Sequence, residues 1–458
     1  MRPELSSYLL VVGVAALVTL LTVPGFIWAS QRWGCVAHPD QRRVHKRPTP
    51  TLGGGAMYLG FVVAFGFAWA SGLFDASFEG STEPLGILVG ATVAYLVGVV
   101  DDVKEISPPA KIAGIVFAGA GLAVGGVSII WFRVPFLDVF VLPYDMAFVA
   151  TVIWVLGMAN AVNFIDGLDG LAAGVLGIAA GAFLLYSHQL GNVGLILPGN
   201  IGPLVAAMVA GACIGFLPWN FHPARIFMGD GGSLLLGTMM AASTMAVGGR
   251  TPDPYSGQTF FFYAPLVIPL VILGVPVFDT AFAIVRRAKG GRSIASADKG
   301  HLHHRLLRQG HGHRRAVTIL WAWTTVLSLF VLYPVYNSGQ GDAVVPIGLL
   351  AFSLVLFTMF HPGKWSASSD SDIADDEQSV DLDGSSSPAV GDIKLVDDSV
   401  GPLEAKGCEC DPAQGSPPKG GSRSGGGDRS NGRELNCRRD DPGGSESALA
   451  AEMSSRAG

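Results

Sequence analysis

Two adjacent carboxylates, Asp101 and Asp102, stand directly after the apolar pair Val99-Val100. Neighbouring carboxylates beside hydrocarbon repel each other and resist desolvation. Such a pair suits a general base or a cation site, and two solvated acids at a helix end are the plainer reading. Downstream, Asn163, Asp166 and Asp169 lie three residues apart. That spacing predicts one shared helix face, with a helix-end turn held by Asx hydrogen bonds as the rival. Asp230 is ringed by Gly229, Gly231 and Gly232, and Ser233 opens the next apolar run. An N-cap acid would explain Asp230 alone, but the glycines favour close approach of a ligand. Amide and carboxylate oxygens suit Mg²⁺, which binds through one or two carboxylates plus substrate phosphates. Further on, His301-Leu302-His303-His304-Arg305 brings imidazoles and a guanidinium together. With no HExxH frame and no cysteine partner, this group fits phosphate recognition better than zinc. His311 and His313 read as part of a basic loop at anionic lipid. Phe227 and Trp219 offer faces for a nucleobase, or belong to an interfacial aromatic belt.

The elements that carry these groups are membrane helices. The chain has 458 residues, 50% hydrophobic and 14% charged, against about 25% charged in soluble domains. A span needs about 20 apolar residues. Eleven stretches qualify, centred on 8–29, 54–71, 85–100, 112–130, 147–163, 171–187, 201–217, 233–248, 262–285, 317–336 and 343–361. The first reads as a retained span, since its leading region holds only Arg2 and no small-residue cleavage site follows. The expected fold is an all-α polytopic membrane protein: a transmembrane domain over 1–361, its motifs within 35–310, and a tail over 362–458. The tail is rich in Ser, Gly and Asp, with too few aliphatic residues to offset ordering entropy, so disorder is expected.

Charge sets the orientation. Loops after the odd-numbered stretches hold Lys46, Arg47, Lys104, Lys111, Arg225, Arg286, Arg287 and Arg305, among others, whereas the even loops hold only Arg133 and Arg250. The positive-inside rule then puts the odd loops and the tail in the cytoplasm and the amino terminus outside. The five chemically expensive segments, at 38–55, 101–111, 160–170, 218–233 and 301–305, all lie in odd loops. A net charge of −6 argues against a nucleic-acid partner. Five cysteines are an odd number without a disulfide pattern, and Cys408 and Cys410 form one CxC pair, short of the paired spacing zinc requires. A transporter would place ionisable groups near mid-span and show related halves; neither is visible.

Acidic and amide oxygens for Mg²⁺, cations for a pyrophosphate, an aromatic-lined pocket and a membrane setting together suggest phosphoryl transfer from a nucleotide-linked donor to a lipid. GxxxxGK[ST] does not occur, so ATP bound in Walker style is not expected. The CDP-alcohol phosphotransferase pattern needs an arginine after Asp-x-x-Asp-Gly, but the chain continues Leu171-Ala172-Ala173.

The ordered motifs His45 to Pro50-Thr51-Leu52-Gly53-Gly54, Asp101-Asp102, Asn160 to Gly170, Phe227-Met228-Gly229-Asp230 and His301 to Arg305 resemble the polyprenyl-phosphate N-acetylhexosamine-1-phosphate transferases, glycosyltransferase family 4. The His301-Leu302-His303-His304 run is similar to the GlcNAc-1-phosphate branch; the muramoyl-pentapeptide branch carries three consecutive histidines. The resemblance implies UDP-GlcNAc as donor and undecaprenyl or decaprenyl phosphate as acceptor, in the plasma membrane. It implies that Asn163 and Asp230 hold Mg²⁺, with Mn²⁺ as the substitute ion. Asp101 and Asp102 would sit where lipid phosphate meets donor. Asn220, Phe227 and the Gly167-Leu168-Asp169 turn would hold uridine, Phe227 stacking on the base. His301, His303, His304 and Arg305 would contact the donor's pyrophosphate or sugar. Asp166, Lys111, Lys46 and Arg47 complete the candidates, and a homodimer is compatible with the family.

Overall fold

The computed structural model describes residues 3–37, 48–133, 139–248, 306, 312–337, 346–350 and 353. Among these residues, eight helices are long and apolar enough to cross a bilayer. They are α1 (Leu5–Trp33), α2 (Gly53–Ala70), α4 (Glu83–Lys104), α6 (Tyr144–Ile165), α7 (Leu171–Asn192), α8 (Gly202–Asn220), α9 (Gly229–Gly248) and α10 (His313–Tyr336). A short α3 (Asp75–Phe78) precedes α4, and α5 (Pro108–Val124) follows it. Two small antiparallel pairs join helices: β1 (Val36–Ala37) with β2 (Thr49–Pro50), and β3 (Trp131–Arg133) with β4 (Val139–Val141). This is an all-α polytopic membrane protein. The stretch at 262–285 and the tail lie outside the described residues, and 343–361 is helical at 346–350.

The fourth expected span differs. α5 has 17 residues, about 25 Å of rise against a hydrocarbon core of about 30 Å. Gly125 and Gly126, the latter at φ 96°, end it, and the apolar residues beyond pass into β3 instead.

α9 lies at the centre, buried from Gly231 to Gly248 and packed on α2, α4, α6 and α8. A helix without a polar face belongs inside, and small residues let its neighbours come close. A Cβ on Gly237 would lie 2.6 Å from the Ala159 Cα of α6. The outer face of α1 is different: Leu9, Leu10, Leu17, Leu21 and Trp28 are all exposed. Such an apolar stripe on a long helix is stable against lipid rather than water.

α1 packs on α8 through glycines. A Cβ on Gly211 would lie 2.5 Å from the Val12 carbonyl, and one on Gly215 would press into the Ala16 carbonyl. These are backbone atoms and cannot swing aside. Gly215→Leu should therefore force the two helices apart and destabilise the protein by at least about 1–3 kcal/mol, the usual cost of overpacking. A lowered melting temperature of the detergent-purified variant checks this, and an unchanged one would contradict the packing.

Candidate active site

Helix ends converge at one end of the bundle. The C-termini of α4, α6 and α8 meet the N-termini of α2, α5, α7, α9 and α10 there, as the hydrogen bonds among them show. Alternating antiparallel helices bring every second connection to the same face, which is why segments far apart in sequence meet.

Four helices build an acid, amide and lysine cluster. The Lys111 ammonium, in the first turn of α5, lies 2.9 Å from Asp101 Oδ2 on α4. It also contacts Asp230 Oδ2 on α9 and donates to Asn163 Oδ1 on α6 at 3.4 Å. The Asn163 amide donates to Asp230 Oδ1 at 2.6 Å and to Ser233 Oγ at 2.9 Å. The side chains of Lys111, Asp101 and Asp230 are 17%, 14% and 29% exposed, so the cluster is sheltered yet reachable.

The two neighbouring acids diverge. Asp101 turns to Lys111, and its Oδ1 accepts the Ile106 backbone N–H at 2.9 Å. Asp102 turns to α9: Oδ1 accepts the Asp230 N–H at 2.8 Å and Oδ2 the Gly231 N–H at 3.0 Å. Asp102 thus caps the first turn of a helix on another segment, satisfying donors every helix start leaves open. Gly229, at φ 65°, leads into that turn; a Cβ there would strike the Asp102 carboxylate. α9 therefore begins at Gly229 rather than near Ser233, because Asp102 lets the glycine-rich stretch start the helix.

A second cluster surrounds the loop after α6. Asn163, Asp166 and Asp169 do not share a helix face. α6 ends at Ile165, and Gly170, at φ 77°, is left-handed just before α7. Only Asn163 is helical, and Asp166 is the C-cap. Burial, with the charges of Asp230, Asp102 and Asp169 added, pushes the Asp166 carboxyl up to about 8. Asn220, 1% exposed, braces the turn: Oδ1 accepts the Gly170 N–H at 3.0 Å and its amide donates to the Ile226 carbonyl at 2.9 Å. Leu168 is buried in the core, while Gly167 is exposed. One Asp169 oxygen pairs with His222 Nδ1 at 2.7 Å and accepts the Ala224 N–H at 3.1 Å.

α10 closes over this turn. Trp321 Nε1 donates to the Gly170 carbonyl at 3.2 Å, and Arg314 donates to the His222 carbonyl at 3.0 and 3.2 Å. The rings of His222 and His313 stack at 4.2 Å and 22°. His313 is therefore packed on the site turn, which corrects its reading as a lipid-facing residue. Ligand-type atoms of Asp169, His222 and His313 lie within 4.8 Å of one another. Imidazole lone pairs lie in the ring plane, however, so two stacked rings aim theirs side by side and not at one ion. The first cluster suits a metal better: Asp101, Asn163 and Asp230 offer oxygens from three helices to one cation, the donor type Mg²⁺ takes.

Phe227 is fixed through its backbone. Its N–H donates to the Pro50 carbonyl at 2.8 Å, and its carbonyl accepts the Gly53 N–H at 3.0 Å. The Gly54 N–H adds a bond to the Met228 carbonyl at 2.8 Å. The start of α2 thus pairs with the residues leading into Asp230, and the glycines are required because a Cβ at Gly53 would collide with the Phe227 carbonyl and one at Gly54 with the Gly231-Gly232 backbone of α9. Lys46, Arg47, His301, His303, His304 and Arg305 lie outside the described residues. His222 and Trp321 went unassigned in the sequence. His222 had a signal, sitting between Asn220 and Phe227, while Trp321 had none, being one more aromatic in an apolar run.

The fold and site define a polytopic helical membrane protein with a cluster of acids, an amide and a lysine at one bundle end. The chain belongs to glycosyl transferase family 4, whose model matches residues 84–248, the segment from α4 to α9. It is 37% identical over 344 residues to the decaprenyl-phosphate N-acetylglucosaminephosphotransferase of Mycobacterium tuberculosis (strain ATCC 25618 / H37Rv), covering 73% of this chain and 84% of the relative. It is 37% identical over 369 residues to a Bacillus subtilis (strain 168) protein named "Probable undecaprenyl-phosphate N-acetylglucosaminyl 1-phosphate transferase", covering 76% and 95%. A phospho-N-acetylmuramoyl-pentapeptide-transferase of Mycobacterium sp. (strain KMS) is 32% identical over 372 residues, covering 73% and 96%.

Proposed function

We propose that the protein transfers GlcNAc-1-phosphate from UDP-GlcNAc to a polyprenyl phosphate, an early lipid-linked step of envelope polysaccharide synthesis. The observation that carries this reading is the meeting of Asp101, Lys111, Asn163 and Asp230 from four helices at one bundle end. Such a site serves a membrane lipid and a water-soluble anionic donor at once. The greater identity to the two GlcNAc-phosphate relatives than to the pentapeptide one favours UDP-GlcNAc.

A polyprenyl-phosphate oxygen attacks the sugar-linked phosphorus. The bond from that phosphorus to the bridging oxygen breaks, UMP leaves with that oxygen, and polyprenyl-diphospho-GlcNAc remains in the bilayer. A phosphate monoester is largely ionised near neutral pH, its second pKa being about 6, so the attacking oxygen needs orientation more than a strong base. Asn163 and Asp230 would hold Mg²⁺, which when bound supplies charge stabilisation to the donor phosphates. Asp101 and Lys111 orient the reacting phosphates. Asp102 holds the α9 N-terminus in place. Asn220 and His222 support the Gly167-Leu168-Asp169 turn, which faces uridine together with Phe227. His301, His303, His304 and Arg305 bind the pyrophosphate or sugar. Lys and Arg crowd the loops at this end, and the positive-inside rule supports a cytoplasmic face for it, where a soluble nucleotide-linked donor would be.

The test is to incubate purified protein with UDP-GlcNAc, Mg²⁺ and decaprenyl or undecaprenyl phosphate and measure UMP. UMP formed only with both substrates supports the reading; none, or UMP only with a muramoyl-pentapeptide donor, overturns it. The tail from 362 onward lies outside the segment matched by the family and carries no proposed site residue. Truncation after Gly363 should leave UMP release within a few-fold of full length, and complete loss would give the tail a catalytic part.

A further inference from the structure

We infer that the Lys111 ammonium occupies the divalent metal's own seat, so that metal binding must exchange one cation for the other. The inference rests on the metal reading proposed above. Three oxygens from three helices converge on Lys111 Nζ: Asp101 Oδ2 at 2.9 Å, Asp230 Oδ2 in direct contact, and Asn163 Oδ1 at 3.4 Å. Asn163 and Asp230 are also the pair assigned to the metal. Mg²⁺ binds oxygen at 2.0–2.1 Å and demands near-octahedral order. An ion at that range from Asp230 Oδ2 would lie against an ammonium that already touches the same oxygen. The two cations would repel at contact distance, and one must leave.

Lys111 is built to be the one that moves. Its ammonium is a compact point charge on a flexible four-carbon stem with three rotatable donors. It stands in the first turn of α5, where Pro108, Pro109 and Ala110 are exposed, so no packed layer encloses the stem's base. Asp101, Asp230 and Asn163 are fixed by comparison. Asp101 is tied to the Ile106 backbone, Asp230 sits in a turn capped by Asp102, and Asn163 is tied to Ser233.

The exchange has two consequences. Without metal, Lys111 neutralises two facing carboxylates that would otherwise repel. With metal, its ammonium is released beside the same site, where the anionic groups are the substrate phosphates. Metal arrival thus arms a phosphate-binding cation, and divalent ion and pyrophosphate ligand should bind with positive coupling.

The experiment measures Mn²⁺ binding to the detergent-purified full chain without substrate, by the electron paramagnetic resonance signal of free Mn²⁺. Lys111→Met should bind Mn²⁺ at least about fivefold more tightly than wild type, the lower end of ordinary coupling. Lys104→Met, which removes a cation from the neighbouring end of α4 without vacating the seat, should leave affinity unchanged. Lys111→Gln serves if the Met variant fails to purify, with tightening in the same direction. Equal or weaker binding in the Lys111 variants overturns the exchange, as does equal tightening by Lys104→Met, which would reveal only a general field. UMP release that persists in excess EDTA, with no Mn²⁺ bound by wild type or either Lys111 variant, would instead remove the metal reading itself. A second readout is UDP affinity. Mn²⁺ should strengthen UDP binding more in wild type than in Lys111→Met, and identical strengthening would show that Lys111 is not handed to the phosphates.

Discussion

Asp230→Asn should lower UMP release at least about 100-fold, the scale of losing a principal electrostatic group at a reacting phosphate. The substitution keeps the side chain's size and shape. One Asn oxygen can still accept the Asn163 amide, now 2.6 Å from Asp230 Oδ1. The other position becomes an NH₂ facing the Lys111 ammonium, donor against donor, where the carboxylate had made an ion pair. It is also no longer a ligand for a divalent ion, because an amide nitrogen has no free lone pair to give. The backbone N–H of residue 230 still reaches Asp102, so the helix start survives. The variant should insert and purify as a single species, and that separates lost chemistry from lost folding. Full activity in the variant, or in wild type with excess EDTA, would sink the metal assignment.

Much of this arrangement was legible in the sequence. The apolar stretches locate the membrane helices, because burial in lipid demands length and composition and little else. The basic bias of alternate loops groups Asp101, Asn163 and Asp230 at one face before any coordinate is known. What the sequence could not carry is direction at the level of single atoms. Asn163, Asp166 and Asp169 have helical spacing, yet α6 ends at Ile165, between the first and the second of them, and spacing alone does not tell a face from a turn. α5 looked long enough to span because its apolar run continues into a strand pair. His313 and Trp321 lie more than 140 positions after Asp169 and Gly170 in the chain, and their contacts with that turn follow only from α10 docking on α7. Lys111 stood out as a cation near two acids, but its pairing with Asp230 needs the packing of α4, α5 and α9.

The paired acids should prove unequal, for a reason visible in their contacts. On a helix adjacent residues point about 100° apart, and here that angle sends Asp101 to Lys111 and Asp102 to the start of α9. In Asp102→Asn one oxygen can accept a single N–H, while the new NH₂ opposes the other. A buried backbone donor left unsatisfied costs about 1–3 kcal/mol, and the lost negative charge at a helix N-terminus adds about 0.3–1 kcal/mol. Because Asp230 is one of the two residues held, the same change should tilt the metal seat. Asp102→Asn is expected to lower melting temperature, raise the Mg²⁺ concentration needed for half-maximal rate, and cut kcat. Asp101→Asn touches no N–H of α9. It should cut kcat by a clearly different factor while melting temperature and half-maximal Mg²⁺ shift far less. UDP-GlcNAc binding by calorimetry should survive in at least one of the two. Were either acid a covalent nucleophile, its Asn variant would be dead, and donor alone would label the wild-type protein with phosphate. Equal, mild losses in both variants, with unchanged melting temperatures, would return the pair to two solvated acids at a helix end.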